Sequence, residues 1–150
     1  MPVNPESVKI LTMAEERDLV AGVIQLGNLL TRALAPVFEK ANVTPQQWAV
    51  LVTIGEEPTN LAAVARKLAV SKQNMTGMIA RLEQLGVVER SDDPQDLRSS
   101  RVQLSRRGRA IVERLAPMYE QWQKTLDVPE KDLQTLTRAV NRLIAQLEQR

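Results

Sequence analysis

Cysteine and histidine are both absent from the chain, and their absence excludes more chemistry than any residue present suggests. Without cysteine there is no disulfide framework and no thiol redox switch. Without histidine as well, there is no typical zinc or copper site and no Ser-His-Asp or Cys-His catalytic pair. Aromatic residues are scarce: one Phe, one Tyr and two Trp. No glycine-rich phosphate loop occurs, and no uninterrupted apolar run approaches the ~20 residues of a membrane span. Met1 to Leu11 lacks the basic start and apolar stretch of a signal peptide. Carboxylates are the remaining route to catalysis, and no motif arranges them for it. The expectation is a non-enzymatic cytoplasmic protein with no metal, no cofactor and no membrane partner.

What is present is globular composition, 43% apolar and 25% charged over 150 residues, enough for one domain with a real core. The net charge of +2 conceals a division. Residues 60 to 110 hold ten basic side chains against five acidic ones, a local +5, which leaves −3 for the rest. A basic middle between acidic flanks suits a polyanion; it equally suits a solvated face with clustered arginines.

Leu19, Val23, Leu26, Leu30, Ala33 and Val37 recur at helical spacing and predict a long amphipathic helix over 14–40. Leu29, Leu34 and Phe38 widen its stripe. Thr44-Pro45-Gln46-Gln47 is a capping box with proline at the first helical position, so a second helix starts there and stops at Glu56-Glu57-Pro58. Thr59 or Asn60 caps a short helix with Leu61, Val64, Ala65 and Leu68 inward. After a tight Ala69-Val70 connection, Ser71 caps a helix whose stripe is Met75, Met78, Ile79, Leu82 and Leu85. Gly86 ends it. Val87–Arg90 and Arg101–Leu104 read as paired strands. Between them Ser91 to Asp96 predicts an extended polar loop, too long for a tight hairpin. Ser105 caps a helix running to Leu126, which Pro117 should kink. A last helix after Pro129 carries Leu133, Leu136, Val140, Leu143 and Leu147.

Two short helices joined by a tight turn, then a β-ribbon with arginines, is the order of a winged helix-turn-helix. If the stripe of the second short helix faces the core, its opposite face presents Gln73, Thr76, Gly77, Ala80, Arg81 and Gln84, with Ser71, Lys72 and Asn74 at the N-terminal end. Gln and Asn match adenine edges, Arg matches guanine or phosphate, and Thr can touch a thymine methyl. The small Gly77 lets the helix lie close to a groove floor. Ser71 and the helix N-terminus offer donors to a phosphate. In the ribbon, Asp96 and Arg98 stand two residues apart. Their spacing fits a loop-bracing pair, and it fits equally a surface ion pair worth ~0–1 kcal/mol. Arg98 or Arg101 also suits a narrow minor groove.

Asp96-Leu97-Arg98-Ser99-Ser100-Arg101-Val102-Gln103-Leu104-Ser105-Arg106-Arg107-Gly108 resembles the wing signature of the MarR (multiple antibiotic resistance regulator) family. Leu82 to Arg90 is similar to that family's recognition-helix exit, and Thr44 to Trp48 to the start of its second helix. The resemblance covers 44–108 and, less distinctively, 14–149. It implies a mainly α fold with a small β-ribbon: a DNA-binding lobe over about 44–104 between dimerisation helices over about 14–40 and 106–149. It implies that Asp96 braces the wing, that Arg98 reaches the minor groove, and that a homodimer binds a pseudopalindromic operator, usually as a repressor. The leucine seam from Leu133 to Leu147 independently suits a partner helix. Two recognition helices would then lie ~34 Å apart, one DNA turn. Family likeness further implies a small aromatic or phenolic effector, for which Phe38, Trp48, Met118 and Tyr119 are candidate linings; aromatics on apolar faces are also ordinary core. The alternatives are an effector-insensitive regulator, an activator, and a winged helix that serves protein contact.

Overall fold

The computed structural model describes Pro2, Asn4, Pro5 and residues 18–150, so the part of the first helix expected before Asp18 lies outside the described residues. The chain divides into two units, Met1–Leu115 and Ala116–Arg150. In chain order the elements are α1 (Leu19–Glu39), α2 (Pro45–Ile54), β1 (Thr59–Asn60), α3 (Leu61–Lys67), α4 (Lys72–Gln84), β2 (Val88–Asp93), β3 (Asp96–Leu104), α5 (Arg106–Gln123) and α6 (Glu130–Glu148). The mainly α class with a small sheet is as the sequence predicts.

In the first unit, Asp18 caps α1 by accepting from the Ala21 N–H at 3.2 Å. Phe38, one residue from its end, is the buried residue of this helix. Leu19, Val20, Val23, Ile24, Leu26 and Leu29 are exposed. Averaged along its length, α1 is apolar enough and long enough to cross a membrane, with a mean hydropathy of 1.3. That average includes the polar Gln25, Asn28, Thr31 and Arg32, which break any continuous apolar run and give the helix two faces. Asn42 takes the left-handed conformation (φ 58°) after the last turn, and the Val43 N–H returns to the Phe38 carbonyl at 3.2 Å. This is a helix end of the kind asparagine tolerates.

The capping box forms as predicted. The Thr44 hydroxyl accepts from the Gln47 N–H at 3.1 Å and the Gln47 side chain accepts from the Thr44 N–H at 3.0 Å. It aims α2 so that Trp48, Val50, Leu51 and Ile54 are buried. These join Leu61, Val64 and Ala65 of α3, Met75, Ile79 and Leu82 of α4, and Val87, Val88, Val102 and Leu104 of the ribbon in the core.

Two sheet features differ from the sequence reading. Thr59 and Asn60, read only as cap residues, also form β1, which pairs antiparallel with β3 (Thr59 opposite Val102, Asn60 opposite Arg101). The sheet therefore has three strands in the order β1-β3-β2. The extended loop predicted over Ser91–Asp96 is instead mostly strand: β2 runs to Asp93, β3 starts at Asp96, and the two pair there across Pro94-Gln95. Polar residues hid this because the ribbon's outer half has no buried face to impose an alternating pattern.

The ribbon is tied to α5 by Ser105, whose hydroxyl donates to the Gly86 carbonyl at 2.6 Å and accepts from the Gly108 N–H at 3.0 Å. Gly108 is buried, and a Cβ there would run into the Val87 carbonyl. That carbonyl already accepts from the Ser105 N–H at 3.0 Å. Close backbone approach therefore requires glycine at 108.

α5 contains Pro117 and ends at Gln123, short of the expected Leu126. In the second unit, α6 begins with Glu130 and Asp132 in its first turn, where carboxylates favour the positive helix end. No residue of α6 is buried.

Candidate nucleic-acid interface

The turn that delivers α4 is built from backbone bonds. The Ala69 N–H donates to the Arg66 carbonyl at 3.1 Å and the Val70 N–H to the Ala65 carbonyl at 3.0 Å. Ala69 is left-handed (φ 52°), which costs a residue with a Cβ roughly 1–2 kcal/mol and is held by these neighbours. Ser71 then caps α4 as expected, accepting from the Asn74 N–H at 3.1 Å.

Met75, Ile79 and Leu82 anchor α4 in the core with Met78 and Leu85 half-buried beside them, so the opposite face is set by helical geometry. Ser71, Lys72, Gln73, Asn74, Thr76, Gly77, Arg81 and Gln84 are all exposed. Ala80, predicted on the same face, is half-buried. The Thr76 hydroxyl donates to the Lys72 carbonyl at 2.9 Å. A Cβ at Gly77 would meet nothing within 4 Å. Internal packing does not demand glycine there.

Asp96 and Arg98 do bond, by a route other than the charge pair that their spacing suggests. The Asp96 carboxylate accepts from the Arg98 backbone N–H at 3.0 Å. Among the described residues, the ion pair within 4 Å is Arg90–Glu83 at 3.2 Å, which fastens β2 to α4. The exposed Arg98 guanidinium has no carboxylate of the described residues at that distance. Arg101 stands lower on the ribbon, opposite Ser91 on one side and Asn60 on the other.

Asp93 is the residue that sequence reasoning missed. Its carboxylate accepts from the Gln95 N–H at 2.9 Å and from the Ser99 hydroxyl at 3.4 Å. The Gln95 N–H above all holds the Asp93 carboxyl below its ordinary pKa; burial opposes it, and Arg101 and the Ser99 and Asn60 side chains add smaller lowering effects. An Asp-Pro pair favours a turn, and that was the available signal; its reach to Ser99 depends on strand register.

Phe38 and Trp48 belong to the first unit, where their rings stack at 5.2 Å. Met118 and Tyr119 belong to the second, where Tyr119 stacks with Trp122 at 6.3 Å. Along α6, Leu133 is half-buried, and Leu136, Val140, Leu143 and Leu147 are exposed. Among the described residues, no group of three or more acidic side chains could hold a metal ion.

Comparison with known proteins bears on this geometry. Residues 43–100 match the family model described as MarR family. The chain is 38% identical over 97 residues to the transcriptional activatory protein BadR of Rhodopseudomonas palustris, a match over 61% of this chain and 55% of that protein's length. It is 23% identical over 131 residues to the homoprotocatechuate degradative operon repressor of Escherichia coli, covering 85% and 88% of the two chains. Among solved structures it resembles BpsR of Bordetella bronchiseptica, described as regulated in DNA binding by 6-hydroxynicotinic acid. The TM-score is 0.62 at 26% identity, over 79% of this chain and 98% of that one.

Proposed function

We propose, from the match of residues 43–100 to the MarR family model, that the chain is a winged helix-turn-helix regulator of that family, a sequence-specific DNA-binding transcriptional regulator acting as a homodimer. The observation that carries the reading is the exposed face of α4 beside a ribbon whose Arg98 has no carboxylate partner among the described residues. α4 enters the major groove, which admits one helix. Gln73 and Asn74 read base edges, Arg81 grips guanine or phosphate, and Ser71 and Lys72 hold backbone phosphate at the helix N-terminus. Arg98 enters the adjacent minor groove, with Arg101 behind it and Asp96 fixing the backbone from which Arg98 projects.

The dimer is supported by the exposed apolar positions of α1 and α6, which would cost solubility if left to water. In this reading those helices are the dimerisation elements, the operator is a pseudopalindrome, and the protein works in the cytoplasm and catalyses nothing. Repression by operator occupancy is the first reading of its direction. Activation is the second, favoured by the likeness to BadR. A small aromatic effector is part of the proposal, supported by the description of BpsR. Phe38 and Trp48 are candidate contacts for it within the first unit and, independently, Met118 and Tyr119 within the second.

Selection of bound duplexes from a random pool tests the reading, with wild type, Arg98→Ala and Gln73→Ala side by side. Wild type should enrich a palindrome with half-sites ~34 Å apart. Arg98→Ala should weaken binding to every duplex and flatten its salt dependence by about one unit per lost phosphate contact. Gln73→Ala should relax preference at particular bases by ~1–3 kcal/mol. No enriched motif, with all three proteins alike, would favour a protein-contact module.

A further inference from the structure

β3 is longer than its partner requires. Asp92 pairs with Ser100 and the next pair is Asp93 with Asp96, so residues 97–99 bulge out of the ladder just behind the Pro94-Gln95 turn. Residues outside a ladder are ordinarily the loosest part of a hairpin, yet Arg98 is one of them.

Two carboxylates compensate for the missing ladder bonds. Asp96 holds the Arg98 N–H at 3.0 Å. Asp93 reaches both sides of Arg98, taking the Gln95 N–H at 2.9 Å with one oxygen and the Ser99 hydroxyl at 3.4 Å with the other. The Ser99 hydroxyl also lies 3.2 Å from the Asp96 carbonyl, so its single proton is shared between two acceptors. The backbone of Arg98 is therefore held on both sides while its guanidinium has no ion-pair partner among the described residues.

We propose that Asp93 and Ser99 are positioning residues that clamp the wing tip and aim Arg98 at DNA, an inference that rests on the DNA-reading function proposed above. Charge sharpens the argument. Asp92, Asp93 and Asp96 put three carboxylates on a surface that approaches phosphates, where each costs affinity by repulsion. Asp93 and Asp96 make bonds that hold the tip. The exposed Asp92 side chain makes none among the described residues.

The test uses that contrast in sign. Asp92→Ala and Asp93→Ala each remove one negative charge, so charge alone makes both bind DNA more tightly and equally. Positioning predicts that Asp92→Ala tightens binding to the selected operator. Asp93→Ala should instead weaken it by about three- to tenfold, the scale of one or two net hydrogen bonds. Ser99→Ala, which changes no charge, should weaken it in the same direction. Asp93→Asn, which keeps an acceptor for Gln95 and a polar group for Ser99, should recover part of the loss. On random-sequence duplex at low salt, Asp93→Ala should bind at least as well as wild type. If Asp93→Ala melts below the assay temperature, Ser99→Ala carries the comparison.

Amide hydrogen exchange on the protein without DNA separates this proposal from the function it rests on. The Arg98 N–H should exchange faster in Asp93→Ala and Ser99→Ala than in Asp92→Ala. That result with no operator selected by wild type would keep the clamp and discard its target. Equal exchange in all variants, or equal shifts in affinity for Asp92→Ala and Asp93→Ala, would overturn the proposal.

Discussion

Gly77 weakens the helix in which it sits. A glycine in a helix interior is less favourable than alanine by roughly 0.5–1 kcal/mol, and nothing packs within 4 Å of where its Cβ would be. A free protein would be improved by replacing it. The proposed reading face gives the opposite instruction, because a methyl at its centre would hold the helix away from the groove floor. Gly77→Ala is therefore expected to raise the unfolding free energy by about 0.4–1 kcal/mol while lowering operator affinity. Urea denaturation and a binding titration on the same preparation check the two signs. Higher stability with unchanged affinity would remove Gly77 from the interface. The exposed position of this residue was legible from the apolar stripe opposite it. Asp93 was not, because its role depends on which residue of β3 lies across from it, and the polar tip carries no pattern from which to read that register.

Helix starts were the most legible elements, since Thr44, Asn60 and Ser71 each satisfy the first-turn N–H groups through local bonds. The sheet was less so. β1 has two residues and owes its existence to the neighbouring β3, which no local propensity encodes. The junction between ribbon and α5 falls between these cases. Ser105 was read as a cap, and Gly108 as part of a wing signature, but their common purpose is packing. Gly108 lets α5 start against Val87, and a Cβ would push at the same carbonyl that receives the Ser105 N–H. Gly108→Ala is expected to destabilise by about 1–3 kcal/mol as an overpacking strain, seen as a lower denaturation midpoint at unchanged slope. A variant as stable as wild type would mean that the junction gives way without cost. Because the wing leaves the core at this point, operator affinity should fall in parallel.

At the scale of the whole molecule, the exposed apolar positions are the largest unexplained feature of an isolated chain. α6 carries Leu136, Val140, Leu143, Ile144 and Leu147 exposed, and α1 carries six more large apolar residues in its first half. The helical spacing in both was legible, but which surfaces they cover was not, because an amphipathic stripe states that a partner exists without saying whether it lies in the same chain. The proposed dimerisation would account for both helices at once and would give DNA recognition its symmetry. Leu143→Asp puts a charge on the α6 stripe and is expected to give monomers by sedimentation at concentrations where wild type is a dimer. The wild-type melting temperature should rise with protein concentration and that of the variant should not, since association stabilises only the folded, paired state. Operator binding should then lose its palindromic preference while weak half-site binding survives, because α4 and the wing lie within the first unit. A wild type that sediments as a monomer would sink the dimer and leave the apolar stripe of α6 to another partner.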